Sequence, residues 1–419
     1  MLLVVGPFYF RYKCLRVKNS VLPRSHPPDE IYALASGPRF YRERLSASSC
    51  FSDAPLTNKQ TLYKVVEEGL ADGALQKSTY WSPTGGSVSN LLLFFPTDIA
   101  ENQYQRAVLG KAMIEASIFS ADTIALNMFG SQMMYRSLEI FNSYCELAGA
   151  TTLPVNSACA DELAFRIASK FSANTIMGLP SRVLQFARFL AREKLHLELD
   201  KLIFAGESLP EHKRKFLADT LGIKQFCGLY GSAETGVWSY QPDGLGADSY
   251  LFPSELMHVE IFDPNGDGFG RVVATNLVRT RHPVMRYDSG DNGRLVQSTF
   301  RGQSVTVLEL SGRSENSFIV GGDYFVLDDF FEVFEHLLDY QIQLSYDETA
   351  KMDCVRFCLV PTSVVPESQE YEALVKAIRS IVQSNDASFI TQVDFLESES
   401  LVRSATSQKV RKIVDERPT

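Results

Sequence analysis

Between roughly residue 90 and residue 285, short apolar runs alternate with longer stretches of helical periodicity. Runs such as ANTIMGLP and KLIFAGE have the length of buried strands, and SRVLQFARFLAREKL repeats apolar residues at the spacing of one helix face. Strands that are separated by helices usually pair in parallel through right-handed crossovers. This alternation therefore predicts an α/β protein that is built around a largely parallel sheet.

The pattern changes on either side of this stretch. Residues 30–70 alternate helical patterns with turns, and MHVEIFDPNGDGFGRVVATNLV carries the Asn-Gly and Asp-Gly dipeptides of hairpins. Further on, FFEVFEHLLDY, DCVRFCLV, YEALVKAIRSIV and TQVDFLE indicate helix, strand, helix and strand. We predict a large N-terminal domain over residues 1–311, with layered α/β sheets and a small β-rich subdomain. A small, mobile α+β domain over residues 314–419 would follow it.

Composition limits the partners and the compartment. The 419 residues are 45% hydrophobic and 22% charged, as in an ordinary globular protein, and the net charge of -9 argues against a nucleic-acid partner. No apolar run approaches the ~20 residues that span a bilayer, and the basic residues of the opening segment follow its apolar start, unlike those of a signal peptide. Seven scattered cysteines do not suggest a disulfide framework, so we expect a cytoplasmic protein.

The segment YWSPTGGSVSN, residues 80–90, concentrates small hydroxyl residues and glycines between a Trp and an apolar run. No Lys follows the glycines, so it is not a Walker-type phosphate loop. Its hydroxyls and unhindered backbone N–H groups suit an anion such as phosphate. The same residues also suit an ordinary turn, and the segment alone leaves both interpretations open.

Five further segments follow in a fixed order: AGES, LYGSAETG, MRYDSGD, GRSENS and, near the end, SQKVRKIVDER. Together with the loop at residues 80–90, they resemble the motifs of the adenylate-forming superfamily of acyl-CoA synthetases. The resemblance spans nearly the whole chain and is greatest to the phenylacetate–CoA ligase branch, which PRFYRERL, GATTLPVNS and GLPS also resemble.

This resemblance implies an enzyme that uses ATP and Mg²⁺ to convert a carboxylic acid into an acyl-adenylate with release of pyrophosphate. An aromatic acid is the expected substrate. Transfer of the acyl group to the thiol of CoA is the expected second step. Two alternatives stay open. The acceptor can instead be a carrier-protein thiol or an amine, or the chain can be a nucleotide-binding homologue without catalysis. A homodimer is a candidate assembly.

The resemblance assigns the phosphate and adenine contacts residue by residue. Ser82, Thr84, Gly85 and Gly86 would close on the β- and γ-phosphates of ATP, although Pro83 and Ser87 stand where relatives have Gly and Lys. The adenine would lie along Gly206 and Glu207 and stack on Tyr230. Gly231 and Ser232 would be further ATP contacts. A carboxylate at a strand end can instead cap the next helix, and a tyrosine can belong to the core.

The ribose, metal and catalytic positions follow in the same way. Glu234 would hold Mg²⁺, and Asp291 would accept both ribose hydroxyls. Arg313 would reach the ribose and phosphate region, with Glu315 near the hinge between the domains. Lys409 matches the catalytic Lys that stabilises charge on the α-phosphate. Three alternatives remain: Glu234 as a surface acid, Asp291 in a plain turn, and Lys409 in a solvated tail.

Pro83, Ser87 and Ala233 favour the non-catalytic alternative, whereas Glu234, Asp291, Arg313 and Lys409 oppose it. Ala233 replaces the Thr that usually precedes Glu234, and Gln408 replaces the usual Gly before Lys409. Ser232 or Thr235 would have to supply the hydroxyl that Ala233 lacks.

The acid pocket is assigned from position along the chain. Relatives form its wall after the strand in ALNMFGSQMM, which indicates Asn127, Met128, Phe129 and Gly130, with Gly178 from the next such strand. Apolar residues at strand ends more often belong to the core. The six histidines lack the spacing of metal ligands, so Mg²⁺ on Glu234 is the expected metal.

Overall fold

The computed structural model describes most of the chain. The described residues are 23–36, 42–71, 73, 75, 77–83, 94–131, 134–207, 209, 211–313, 317–321, 323–334, 337–361, 368–382, 388–397, 400–402 and 410–418.

The helices, in chain order, are α1 (Pro28–Ala35), α2 (Arg42–Leu45), α3 (Lys59–Ala71), α4 (Ile99–Glu115), α5 (Ser137–Ala148), α6 (Asp161–Lys170), α7 (Pro180–Glu193), α8 (Glu211–Leu221), α9 (Phe331–Phe334) and α10 (Ser368–Val382). The strands up to residue 241 are β1 (Thr79–Pro83), β2 (Phe94–Asp98), β3 (Ile124–Asn127), β4 (Thr151–Pro154), β5 (Thr175–Gly178), β6 (Lys201–Ala205), β7 (Gln225–Ser232) and β8 (Gly236–Gln241).

The later strands are β9 (Ser249–Leu251), β10 (Met257–Phe262), β11 (Gly270–Asn276), β12 (Tyr287–Phe300), β13 (Gln303–Arg313), β14 (Ser317–Val320), β15 (Asp323–Val326), β16 (Leu337–Asp347), β17 (Met352–Pro361), β18 (Phe389–Phe395) and β19 (Ile413–Asp415).

One 11-stranded sheet organises the chain from β3 to β13, in the order β10-β11-β12-β13-β9-β8-β7-β6-β5-β3-β4. Strands β3 to β7 pair in parallel, and α5 to α8 connect them. From β7 to β10 the pairing is antiparallel. The sheet therefore changes from an α/β half to a hairpin half at β7.

Helix α7 shows why the α/β half folds as it does. Its residues Val183, Phe186, Ala187 and Leu190 are each 0% exposed and recur at the spacing of one helix face. They pack with strand residues of β5 and β6 in a common apolar core. The parallel sheet is covered in this way, as parallel sheets require.

The N-terminal segment is tied to the hairpin half through Thr57. Its backbone N–H donates to the carbonyl of Arg286 at 2.8 Å, and its carbonyl accepts from the N–H of Asp288 at 2.8 Å. The Thr57 hydroxyl donates to the carbonyl of Met285 at 2.6 Å. Because these three bonds fix the backbone just ahead of α3, they also fix where the first residue of that helix, Lys59, lies.

The C-terminal part has its own four-stranded sheet, in the order β18-β17-β16-β19, and a β14-β15 hairpin. Helix α10 and the hairpin pack on this sheet around Phe318, Phe330, Phe357 and Phe389. This apolar core draws on residues 318–413. The boundary between two domains at residues 311–314 stays a prediction.

The predicted α/β class is confirmed, and so are the parallel pairing of β3 to β7 and the hairpin at β10 and β11. The sheet as a whole is mixed and not largely parallel, because β8 to β13 extend it with antiparallel strands. The helix predicted from FFEVFEHLLDY is wrong beyond its first turn, because α9 ends at Phe334 and β16 begins at Leu337. Strand β16 lies between β17 and β19, so pairing on both sides outweighs a local helical spacing. Among the described residues, no helix has the length and apolarity to cross a membrane.

Candidate functional site

Gly206, Glu207 and the end of β7 lie at the carboxyl edge of the parallel strands. Gly206 and Glu207 directly follow β6, and β7 beside it ends at Ser232. Gly206 has a φ of +84°, in the left-handed region that favours glycine. Ligands of α/β sheets bind outside the carboxyl ends of strands, so this edge is the place where a nucleotide site is expected.

Tyr230 and Asp291 are joined by a hydrogen bond, although they come from different halves of the sheet. The Tyr230 hydroxyl donates to Asp291 Oδ2 at 2.6 Å, and Asp291 is only 8% exposed. The Tyr230 ring contacts Trp238 edge-on, with centroids 5.2 Å apart. Asp291 lies opposite Arg313 in the pairing of β12 with β13. The residues assigned to adenine and to ribose are therefore neighbours.

A tight turn between β7 and β8 carries Glu234. A side chain at Gly231 would place its Cβ 2.2 Å from the carbonyl of Gly236, so only glycine fits there. Ser232 is exposed, and its hydroxyl accepts from the N–H of Thr235 at 3.2 Å. Thr235 is buried and its hydroxyl donates within the turn to the carbonyl of Gly236. Thr235 therefore does not present its hydroxyl to a phosphate in place of Ala233.

Glu234 is buried and faces a cation from the N-terminal segment. Only 5% of its side chain is exposed, and its Oε1 lies 3.9 Å from Nζ of Lys59. Lys59, at the start of α3, stays 21% exposed. The site thus pairs an acceptor for a hard cation with an ammonium group that can meet an anion.

A buried polar network supports the turn from beneath. The Gln105 amide donates to the carbonyls of Thr235 at 3.1 Å and Val237 at 2.9 Å. The Asn276 amide donates to Gln105 Oε1 and to the Thr235 carbonyl, each at 3.0 Å. The Arg279 guanidinium donates to the carbonyl of Glu234. The turn between β7 and β8 is therefore held by side chains from α4, from β11 and from the segment after β11.

Arg279 is the charged member of this network. Its burial lowers its pKa to about 10, and the carboxylates of Glu101 and Glu234 oppose that shift. Burial also raises the pKa of Glu101, although Glu101 accepts hydrogen bonds from Thr280 and Arg281. At neutral pH Arg279 keeps its proton, so it places a fixed positive charge behind Glu234.

Sequence reasoning missed Lys59, Gln105, Asn276 and Arg279. Arg279 and Asn276 lie in TNLVRTRH, shortly before MRYDSGD, and polar residues in that apolar context were a usable signal. Lys59 and Gln105 carried no such signal, because long-range packing alone brings them to Glu234.

The residues assigned to the acid pocket lie next to the site but mostly inside the core. Met128 is 0% and Phe129 1% exposed, and Phe129 stacks on Phe141 with centroids 3.8 Å apart. The buried Asn127 amide donates to Leu138 and Asn142. This placement favours the core alternative for these three. Gly130 and Gly178 end the same region, and a Cβ at Gly178 would lie 3.5 Å from that of Met128. All five assignments stay predictions.

Several assigned residues fall outside the described part of the chain. These are Thr84, Gly85, Gly86, Ser87, Glu315, Gln408 and Lys409. Of Arg313 only the backbone is described, as the last residue of β13. Ser82 is half-buried in β1, where it pairs with Phe95, and the buried Pro83 ends that strand.

Comparison with known proteins matches this geometry to one group of enzymes. No protein-family model matches the chain. Indoleacetate–lysine synthetase from Pseudomonas savastanoi is 22% identical over 280 residues, 65% of this chain and 67% of that protein. The structure of 2-hydroxyisobutyryl-CoA ligase with 2-HIB-AMP and CoA, in the thioesterification state, has a TM-score of 0.71 at 16% identity and covers 93% of this chain and 88% of that one.

The chain thus shares its fold with an acyl-CoA ligase of known structure and part of its sequence with an indoleacetate–lysine synthetase. The same 2-hydroxyisobutyryl-CoA ligase in the postadenylation state has a TM-score of 0.59, also at 16% identity and with the same coverage of both chains. These similarities support the resemblance to the adenylate-forming superfamily that the motifs indicate. The phenylacetate–CoA ligase branch stays a prediction.

The network beneath the turn makes a stability prediction. In Asn276→Ala the Oδ1 that accepts from the N–H groups of Val278 and Arg279 is lost, and the Thr235 carbonyl loses a donor. Buried groups without partners are costly, so we expect the free energy of unfolding to fall by about 1–3 kcal/mol. Urea unfolding measures the change. Asn292→Ala is the control, since that amide bonds Ser311 at the surface. Equal midpoints for the two variants would contradict the network's role.

Proposed function

We propose that the protein uses ATP to activate a carboxylic acid as an acyl-adenylate, with release of pyrophosphate, and then transfers the acyl group to an acceptor. The hydrogen bond between Tyr230 and Asp291 beside the Glu234 turn carries this proposal. It supports adjacent adenine and ribose contacts at the carboxyl edge of the sheet, where the superfamily's reaction needs them.

Tyr230 and Asp291 would divide the nucleoside between them. The aromatic ring offers an apolar face to the base, and its hydroxyl orients the Asp291 carboxylate. An ionised carboxylate has about four acceptor positions, so a bond from Tyr230 is compatible with accepting a ribose diol. Gly206, Glu207, Gly231 and Ser232 would line the base, and Arg313 would reach the ribose from the strand beside Asp291.

Mg²⁺ fits at Glu234. Magnesium in phosphate-transfer sites is usually held by one or two carboxylates together with substrate phosphates, and Glu234 is one buried carboxylate at the turn. No cluster of three or more metal-ligating side chains occurs within the described ranges, so substrate oxygens would complete the set. When bound, the ion would neutralise the phosphate charges. Arg279 orients the backbone of Glu234 for this purpose.

Lys59 would bind the β- and γ-phosphates of ATP through its ammonium group. The phosphate loop carries Ser87 where relatives have Lys, and Lys59 brings an ammonium group to within 3.9 Å of the Glu234 carboxylate. Ser82, Thr84, Gly85 and Gly86 would supply hydroxyl and backbone donors to the same phosphates. Together these residues would make up for the missing loop cation.

The acyl acceptor and the class of carboxylic acid are also proposed. CoA is the first candidate, since 2-hydroxyisobutyryl-CoA ligase, with the same fold, binds CoA. An amine is the second, because the sequence relative is named as an indoleacetate–lysine synthetase. An aromatic acid is proposed, with Gly130 and Gly178 at the pocket and Asn127, Met128 and Phe129 behind it. A carrier-protein thiol and a homodimer stay predictions.

The proposal also includes a rotation of the C-terminal domain and a cytoplasmic location for the protein. A domain over residues 314–419 would turn about Glu315 relative to residues 1–311 and bring Lys409 to the α-phosphate for the first step only. The cysteines in the described ranges are all free, which supports a reducing compartment such as the cytoplasm.

Pyrophosphate release tests the function. Wild-type protein, MgATP and a panel of aryl and alkyl carboxylates should release pyrophosphate. Thioester formation with CoA, or amide formation with lysine, should then identify the acceptor. Lys409→Ala should lower the release by ~10²–10³-fold, the scale for losing one preorganised donor. The same variant, given preformed acyl-adenylate, should transfer the acyl group at nearly the wild-type rate. ATP binding without release for any acid would instead support a non-catalytic homologue.

Nucleotide affinity tests Asp291. In Asp291→Ala the acceptor for the ribose diol is lost, so ATP and AMP binding should both weaken by about 1.5–3 kcal/mol. Isothermal titration calorimetry measures both affinities. Asp267→Ala, in the exposed turn between β10 and β11, is the matched control. An unchanged affinity in a folded Asp291 variant would reject the ribose assignment.

Comparison of ATP with AMP tests Lys59. Lys59→Met removes a cation assigned to the β- and γ-phosphates, so ATP should bind roughly 10-fold more weakly while AMP binds as before. Lys64→Met, on an exposed position of the same helix α3, should change neither affinity. A parallel loss for ATP and AMP would show that Lys59 acts through the fold and not on the phosphates.

A further inference from the structure

A buried ion pair joins the large sheet's helices to the C-terminal sheet. Lys213 on α8 donates from Nζ to Asp353 Oδ1 on β17 at 2.8 Å. The side chains are only 12% and 7% exposed. Charged groups that lose this much water are costly unless they are paired, so the contact is specific to the arrangement in which α8 meets β17.

Asp353 is already held from within the C-terminal part. Arg417 Nη1 donates to its Oδ2 at 3.2 Å and to the carbonyl of Ile319 at 2.8 Å, and Asp415 binds the same guanidinium. Burial raises the pKa of Asp353, but Lys213 and Arg417 outweigh it and hold that pKa below its usual range. The carboxylate is therefore ionised and fixed, and Lys213 reaches it from the other side.

Further residues near Lys213 interact across the contact between α8 and the C-terminal sheet. Its Nζ lies 5.7 Å from the centre of the Tyr346 ring on β16, within reach of a cation–π attraction. Arg188 on α7 acts electrostatically on both Tyr346 and Asp353. Two helices of the large part thus face β16 and β17 with positive charge. Because α8 follows Gly206 and Glu207, this contact lies on an element that leads directly from the nucleotide site.

We propose that Lys213 and Asp353 are positioning residues which hold the C-terminal sheet on α8 for acyl transfer, and that their ion pair separates for adenylation. The proposal rests on the proposed two-step function. It is supported by the TM-scores, which for one ligase at equal coverage are 0.71 in the thioesterification state and 0.59 in the postadenylation state. An ion pair that forms in only one of two domain arrangements stabilises that arrangement, and it shifts the equilibrium between the two by the free energy of the pair.

Separate measurement of the half-reactions tests this. In Lys213→Met, acyl transfer from preformed acyl-adenylate should slow about 10-fold, within the usual range of coupling between two states. Acid-dependent pyrophosphate release in the first turnover should stay equal or rise. Lys215→Met, an exposed lysine on the same helix, should leave both rates unchanged. Lys213→Arg should restore transfer, since the bond to Asp353 needs one cationic donor.

Small-angle X-ray scattering on the full chain gives a readout that needs no substrate. Lys213→Met should increase the radius of gyration relative to wild type, and Lys215→Met should not. Equal slowing of both half-reactions, or wild-type rates and scattering in Lys213→Met, would overturn the positioning role. If no acid supports pyrophosphate release in wild type, the proposed function fails, while the scattering result still decides whether the pair holds the two parts together.

Discussion

The turn between β7 and β8 is the constraint on which the candidate site depends. It crosses from the parallel to the antiparallel half of the sheet, and its backbone bends so tightly that Gly231 admits no side chain. Its carbonyls point into the protein, where Gln105, Asn276 and Arg279 donate to them. Buried carbonyls without donors would lower stability, so the turn needs the donors of this network in order to form.

This network also sets the electrostatics. Arg279 is fully buried and still charged at neutral pH, because a pKa near 10 lies well above 7. It donates to the backbone of Glu234 and leaves the carboxylate to face Lys59. One carboxylate therefore lies between a buried cation and a partly exposed one. In the proposed function, this arrangement would place Glu234 next to the metal ion and Lys59 next to the phosphates.

The two parts of the chain are in contact through at least one ion pair. Each has its own apolar core, one formed around the 11-stranded sheet and one by residues 318–413. Lys213 and Asp353 contact each other between these cores. A buried ion pair is specific in geometry, yet it can separate when both groups regain water.

Sequence by itself determined the α/β alternation, the hairpin between β10 and β11, and the superfamily. These follow from local periodicity, turn dipeptides and motif order, which the chain carries without reference to distant residues. The sequence also indicated Tyr230, Glu234 and Asp291 as site residues. In the structure, Tyr230 and Asp291 are joined by a hydrogen bond. Local pattern failed at β16, where neighbours on both sides override a helical spacing.

Only the tertiary structure decided which polar residues support the site and which apolar residues fill the core. Lys59 and Gln105 are far in sequence from Glu234, and crossovers of the chain bring them to it. Phe129 is packed against Phe141 because α5 folds back over its strand, which periodicity cannot specify. Sequence fixes each residue's chemistry and its strand or helix face, but contacts between distant segments depend on how those faces pack, and that packing decided the site.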